Sequence, residues 1–190
     1  MSDTPTTARR FLFLNASTRV PGVMGNTEAL ARTAAAALPS GIEQQWLRLA
    51  DHPLPPFVDH RHDIGTYPLP EGAGRLLLDA TLAATDLVLV APVYWYSLPA
   101  SVKLYLDHFS AWMRVPGLDF KARMAGRRLW LVTTSGDRAK AQPMIDSTRL
   151  CAEFLGMQWQ GALWGKGGAP EAIRADETAL TEATRWFEGV

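Results

Sequence analysis

The sequence predicts an α/β fold, a three-layer sandwich in which a five-stranded parallel sheet lies between helices. Two short apolar runs, 11–14 and 87–91, have the pattern of central strands buried on both faces. Strand-like and helix-like segments alternate along the chain, which implies parallel strands joined by right-handed crossovers. A length of 190 residues suffices to bury one such sheet and is short for two independent cores. One domain over 1–190 is therefore expected, with 1–9 as a flexible tail.

The opening strand, 11–14, ends at Asn15 and is followed by a loop rich in Ser, Thr, Pro and Gly. Residues 26–38 carry Leu30, Ala34 and Ala37 at helical spacing before Pro39 stops them. Residues 43–49 alternate polar and apolar side chains through Trp46, Leu47 and Leu49, the pattern of a second strand near an edge. Residues 52–70 are dense in Pro and His without any period and read as an irregular surface excursion. A helix is expected over 75–84, where Leu76, Leu77 and Leu78 form a stripe reinforced by Leu82. The third strand, 87–91, is stopped by Pro92, and a helix over 99–112 follows with proline in its first turn. A fourth strand over 128–134, a helix over 142–155, a fifth strand over 157–163 and a closing helix over 176–187 complete five strands alternating with five helices.

Composition narrows the function classes. Lysines and arginines number 19 and aspartates and glutamates 19, so no summed field favours nucleic acid or an anionic membrane. Residues 1–10 are polar, and the longest apolar runs are strand-sized and interrupted by proline or charge, so no membrane span is expected. The single cysteine, Cys151, cannot form an internal disulfide, which suits the cytoplasm; it reads as a small buried apolar residue.

In sheets of this kind ligands sit beyond the carboxyl ends of strands where the strand order reverses, which directs attention to the loops after strands one, three and four. In the first, residues 15–27, the helix start attracts an anion. Ser17 and Thr27 offer hydroxyls, Asn26 an amide and Arg19 a charge-assisted pair of bonds. The same residues would equally serve as an ordinary helix cap and a solvated loop charge. Neither a G-x-G-x-x-G nor a G-K-[ST] element is present, which argues against a dinucleotide-binding dehydrogenase or a kinase, and no G-x-S-x-G elbow supports a hydrolase. In the second loop Tyr94, Trp95 and Tyr96 lie between Pro92 and Pro99, outside regular structure, where they supply a flat apolar surface. In the third, Gly136 permits close backbone approach to a ring, while Thr134 and Ser135 bind a ligand or form a local turn.

These three loops carry a resemblance. Ser17-Thr18-Arg19 with Gly25-Asn26-Thr27, Ala91 to Ala100 followed by Lys103 and Asp107, and Thr133 to Asp137 together resemble the flavodoxin-like NAD(P)H-dependent FMN oxidoreductases. The resemblance runs from Phe11 to Gly165-Lys-Gly-Gly168 and the closing helix. It departs in the insert 20–24 and in lacking the clustered cysteines with which some relatives hold an iron–sulfur cluster. It implies a sheet of order 2-1-3-4-5 and non-covalent FMN held by Ser17, Arg19, Gly25, Asn26 and Thr27, by Pro92, Val93, Tyr94, Trp95 and Tyr96, and by Thr134, Ser135 and Gly136. It further implies NADH or NADPH as donor, a small-molecule acceptor such as a quinone, azo compound, metal ion or flavin, ping-pong order, and a homodimer. No side chain is implied as a nucleophile or catalytic acid; loop amides would stabilise charge at the N1–O2 edge of the flavin.

Two other classes share the fold. A flavodoxin-type electron carrier is disfavoured by zero net charge and Arg19, and a non-enzymatic interaction module would be colourless and ignore FMN. His52, His60 and His62 with Asp51, Asp59 and Asp63 are metal-ligand types at no standard spacing, so no metal is expected. The segment 109–123, with Trp112, Met113 and Phe120, either seats its helix on the sheet or shapes the pocket or a subunit contact.

Overall fold

The computed structural model describes residues 8–190. Most of the expected tail, 1–7, lies outside the described residues, and Arg9 is anchored through two bonds from its guanidinium to the Asp86 carboxylate. Five parallel strands form one sheet: β1 (Arg10–Asn15), β2 (Glu43–Arg48), β3 (Asp86–Val90), β4 (Arg128–Ser135) and β5 (Gln158–Lys166). Their order is β2-β1-β3-β4-β5, as the resemblance implies. The chain steps from β1 out to β2 and returns to β3 on the other side of β1. The order therefore reverses between β1 and β3, and the loops leaving those two strands diverge to leave a crevice.

Pleating divides the apolar residues between two cores. Leu12, Leu14, Leu87, Leu89, Leu129 and Leu131 face one side, under α2 (Gly72–Ala83), α3 (Ala100–Trp112), α4 (Phe120–Met124) and α5 (Arg138–Phe154). Phe11, Phe13, Val88, Val90, Trp130 and Val132 face the other, under α1 (Asn26–Ala36) and α6 (Glu177–Ala183). Every residue of β3 is buried, and each such Leu or Val contributes about 1.5–3 kcal/mol relative to exposure. At the edge, no residue of β2 is fully buried: Leu47 packs partly on one core and Trp46 on the other, where Trp46 stacks on Phe13 at 4.2 Å and receives the Arg32 guanidinium 3.6 Å over its ring.

The structure departs from the sequence reading at identifiable points. Helix α5 begins at Arg138 rather than 142, because the Asp137 carboxylate accepts from Ala139 N at 3.0 Å and caps it, with Pro143 accommodated inside the helix. Strand β5 runs on to Lys166 because an extra residue between its pairings with Leu129 and Leu131 is absorbed near Gly161, at φ +103°. Helix α4 is an additional short element that begins in the 109–123 segment and ends just past it, and α6 stops at Ala183 rather than 187. Leu76 is exposed while Leu77, Leu78 and Leu82 are buried, and Cys151 is half-buried. Phe109, Trp112 and Phe120 are buried against one another in the α3 core, so this segment seats its helix.

Between Asp51 and Gly72 the excursion has no regular structure. It is fastened by Tyr67, whose hydroxyl accepts from His60 N and donates to Val58 O, and by the His108 imidazole against Pro55 O. Its polar side chains pair locally, Asp59 with Arg61 and the His60 ring hydrogen-bonded to Asp63, and no group of three metal-ligating side chains forms among the described residues. No helix among them is long and apolar enough to cross a membrane.

Candidate active site

At the carboxyl ends of β1, β3 and β4 lies a cleft of about 420 Å³, within the range of roughly 300–1,000 Å³ typical of cofactor and ligand sites. Ser17, Arg19, Gly25, Asn26 and Thr27 line one end, Pro92 to Tyr96 another side, and Thr134, Ser135 and Gly136 a third. The structure thus brings together all the residues singled out from the three loops. Lys103 and Asp107 pair with each other on α3 and do not line the cleft.

The first loop makes an anion site from backbone. Helix α1 begins after Gly25 without a side-chain cap, and its first internal bond runs from Ala29 N to Gly25 O. The amides of Asn26, Thr27 and Glu28 therefore have no acceptor among the described residues, and the helix dipole adds partial positive charge there. Gly25 is a close-approach glycine: a Cβ would stand 3.3 Å from Arg19 Nε. Its absence lets the guanidinium fold back across the helix start, and the insert 20–24 turns away, with Val20, Val23 and Met24 exposed. Arg19 itself is held by its backbone, its amide donating to Ser17 Oγ and its carbonyl accepting from Arg48. It has no carboxylate partner among the described residues, and Glu28, the one acid lining the cleft, is already paired with Arg32.

The second loop is a strained two-residue turn. Tyr94 and Ser97 exchange both backbone bonds, at 3.1 and 3.0 Å, leaving Trp95 and Tyr96 at the tip with φ +50° and +62°. That left-handed pair matches the turn type that normally selects Asn and Gly. Both tip residues are aromatic instead, and Trp95 is 94% exposed. Strain of this kind concentrates at functional sites. The Tyr94 hydroxyl bonds Thr18 Oγ1 at 2.9 Å, which ties this turn to the first loop.

In the third loop Ser135 Oγ donates to Asp137 O and accepts from Trp164 Nε1. Thr134 Oγ1 shares a buried 2.6 Å bond with Thr27 Oγ1, so these two hydroxyls join the first and third loops rather than standing free. Asn26 is likewise engaged, its amide donating to Ala169 O and accepting from Ile173 N. What the sequence reading misses is a further side of the cleft formed by Gly167, Gly168 and Lys140. The signal available for it is the Gly-Lys-Gly-Gly run that ends β5, whose position beside β4 becomes evident only in the fold.

Residues 9–169 match the family model described as NADPH-dependent FMN reductase. YwqN of Bacillus subtilis (strain 168), which carries the name of an NAD(P)H-dependent FMN-containing oxidoreductase, is 29% identical over 164 residues, covering 85% of this chain and 88% of that protein. Among solved structures, the Trp repressor binding protein of Bacillus subtilis superposes with a TM-score of 0.72 at 24% identity, over 95% of this chain and 99% of that one. The FMN-dependent NADH-azoreductase of Bacillus anthracis str. Ames Ancestor, in complex with FMN, gives 0.67 at 15% identity, over 93% and 96%. At these identities the two structures establish a shared fold.

Proposed function

Because the chain belongs to the NADPH-dependent FMN reductase family, we propose that the cleft is its FMN site, with the phosphate at the start of α1 and the ring along the 92–96 turn and residues 134–136. The protein is an NAD(P)H-dependent FMN oxidoreductase; FMN, when bound, supplies two-electron transfer between a nicotinamide donor and an acceptor. The observation that carries the placement is the convergence, at one end of the cleft, of the Ser17 hydroxyl, three helix amides without acceptors and the Arg19 guanidinium without a carboxylate partner among the described residues. Together they match a phosphate dianion in charge and donor number.

The remaining residues suit a flat ring. Tyr94, Trp95 and Tyr96 present apolar surface, and the amides of Trp95, Tyr96 and Gly136 have no acceptor among the described residues, leaving them to meet polar ring edges. Lys140, also without a carboxylate partner among the described residues, adds a positive charge that favours electron density at the ring. The chain's own work is therefore positioning and electrostatic support. The acceptor we propose is a flat aromatic compound, a quinone, an azo compound or free flavin, because the exposed aromatic wall offers it a stacking surface. We also propose a cytoplasmic homodimer: Leu150 and Phe154, one turn apart on α5, are 57% and 60% exposed, and Cys151 is a free thiol. A monomer by sedimentation would refute the dimer.

The test is the visible spectrum of the purified protein with added FMN under anaerobic conditions, followed by NADPH and then NADH. Bleaching of the oxidised-flavin band by either donor is expected. Bound flavin that neither donor reduces would make the chain an electron carrier, and failure to bind FMN would leave an interaction module.

A further inference from the structure

We infer that the side chain of Asn26 is a positioning group that acts through the segment 167–173, fixing it as a fourth wall of the cleft, while only the Asn26 backbone amide is left to meet the cofactor phosphate. The inference rests on the reading of the cleft as an FMN site.

By residue type alone, an asparagine at a helix start beside an anion site is a donor to the anion. Its geometry here assigns it elsewhere. Asn26 is 8% exposed, and both ends of its amide are engaged by the chain that follows β5: Nδ2 donates to Ala169 O at 2.9 Å and Oδ1 accepts from Ile173 N at 3.3 Å. These bonds cross 143 and 147 residues of sequence. At its far end the segment is anchored by Ile173, buried at 1% exposure in the core under α1 and α6; between Gly167 and that anchor its support is sparse. Gly168 and Glu171 adopt φ +151° and +61°, and a single-turn 3-10 helix begins only at Ala172. Gly167 N donates to Ser135 O at 2.8 Å, and the Ala172 and Arg174 amides make only local turn bonds.

The same residues lock the wall against β4. A Cβ on Gly167 would stand 2.8 Å from Thr134 Cβ and 2.9 Å from its Oγ1, and 3.6 Å from Asn26 Nδ2. Thr134 in turn holds Thr27. Asn26, Thr27, Thr134 and Gly167 thus join the start of α1, the end of β4 and the fourth wall into one knot. Gly167 and Gly168 face the cleft, so releasing the knot disorganises a wall that a flavin would contact and removes preorganisation from the whole site. Loss of a phosphate ligand would instead be felt only by a phosphorylated flavin.

That contrast defines the experiment. FMN and riboflavin are titrated by flavin fluorescence into wild type, Asn26→Ala and Arg19→Ala, and amide hydrogen exchange over 167–173 is measured in each apoprotein. Asn26→Ala is expected to weaken FMN and riboflavin by the same factor, about tenfold for the loss of two bonds, and to speed exchange over 167–173. Arg19→Ala is expected to weaken FMN selectively and leave that exchange unchanged. Gly167→Ala, which pushes the wall away from the opposite side, should reproduce the Asn26→Ala pattern. Asn26→Asp keeps the acceptor for Ile173 N and should show intermediate exchange; it serves where Asn26→Ala does not fold. An FMN-selective loss with unchanged exchange in Asn26→Ala would overturn the inference. Wild type that binds neither flavin would overturn the FMN reading, while the exchange data would still decide whether Asn26 holds the wall.

Discussion

Replacing Trp95-Tyr96 by Asn-Gly should make the protein more stable and its site worse. Both residues sit at positive φ, where a bulky aromatic side chain costs about 1 kcal/mol each relative to glycine or asparagine. The pair therefore holds about 2 kcal/mol of strain. Trp95 is 94% exposed and recovers almost nothing by packing; Tyr96, at 56%, recovers a little. Asn-Gly is the preferred sequence for such a turn, and its glycine offsets part of the relief by about 0.5–1 kcal/mol of added freedom in the unfolded chain. The net gain is about 1 kcal/mol, which in a chain of 190 residues raises Tm by about 2–4 °C. Scanning calorimetry of the apoprotein reads this directly. The same variant should bind FMN about tenfold more weakly, having lost its aromatic wall. An unchanged or lower Tm would refute the strain argument. A higher Tm with unchanged FMN affinity and unchanged KM for a quinone would refute the role given to the aromatics.

Three further outcomes follow from buried polar groups. Thr134→Val leaves the Thr27 hydroxyl buried without its partner and should cost about 1–3 kcal/mol by urea denaturation, with a loss of FMN affinity that a purely distant destabilisation would not cause. Asp86→Ala removes the fully buried carboxylate that receives Arg9, the Thr85 hydroxyl and Trp130 Nε1; it should cost about 3–5 kcal/mol while leaving FMN affinity of the folded protein intact, because it lies at the amino end of β3. Burial pushes the Tyr105 hydroxyl above its ordinary value of 10.0. A group raised in the folded state contributes stability that is complete below the unfolded value and is lost as pH rises toward the folded one. Tyr105→Phe should therefore flatten the decline of the urea midpoint above about pH 10, and an identical decline in both proteins would refute that assignment.

How far the sequence discloses this protein depends on whether a single residue carries a single physical rule. β1 and β3 are legible because a strand covered on both faces has to be continuously apolar. The start of α5 is not, because Asp137 both ends a loop and caps a helix, and Pro143 reads as a first-turn proline although it lies in the second turn. α4 has five residues, too few for a period. At the site, Ser17, Arg19 and the Tyr94-Trp95-Tyr96 run are legible because hydroxyl, guanidinium and aromatic surface are typed by the residue. Asn26 and Thr27 are legible as residues of the cleft but not in their partners, which lie more than a hundred positions away. Gly167 and Gly168 are the hardest case: they act by having no side chain, and their place is set by the β4–β5 pairing rather than by their own chemistry.

The central claim is that FMN occupies the cleft at the carboxyl ends of β1, β3 and β4. Titrating FMN into the ¹⁵N-labelled apoprotein and following backbone amide shifts tests it most directly. Saturating shifts are expected, largest at Asn26, Thr27, Glu28, Trp95, Tyr96, Gly136 and Gly168. Shifts centred instead on the neighbouring groove between Val20, Trp46 and His52, or no saturable shifts at all, would contradict it.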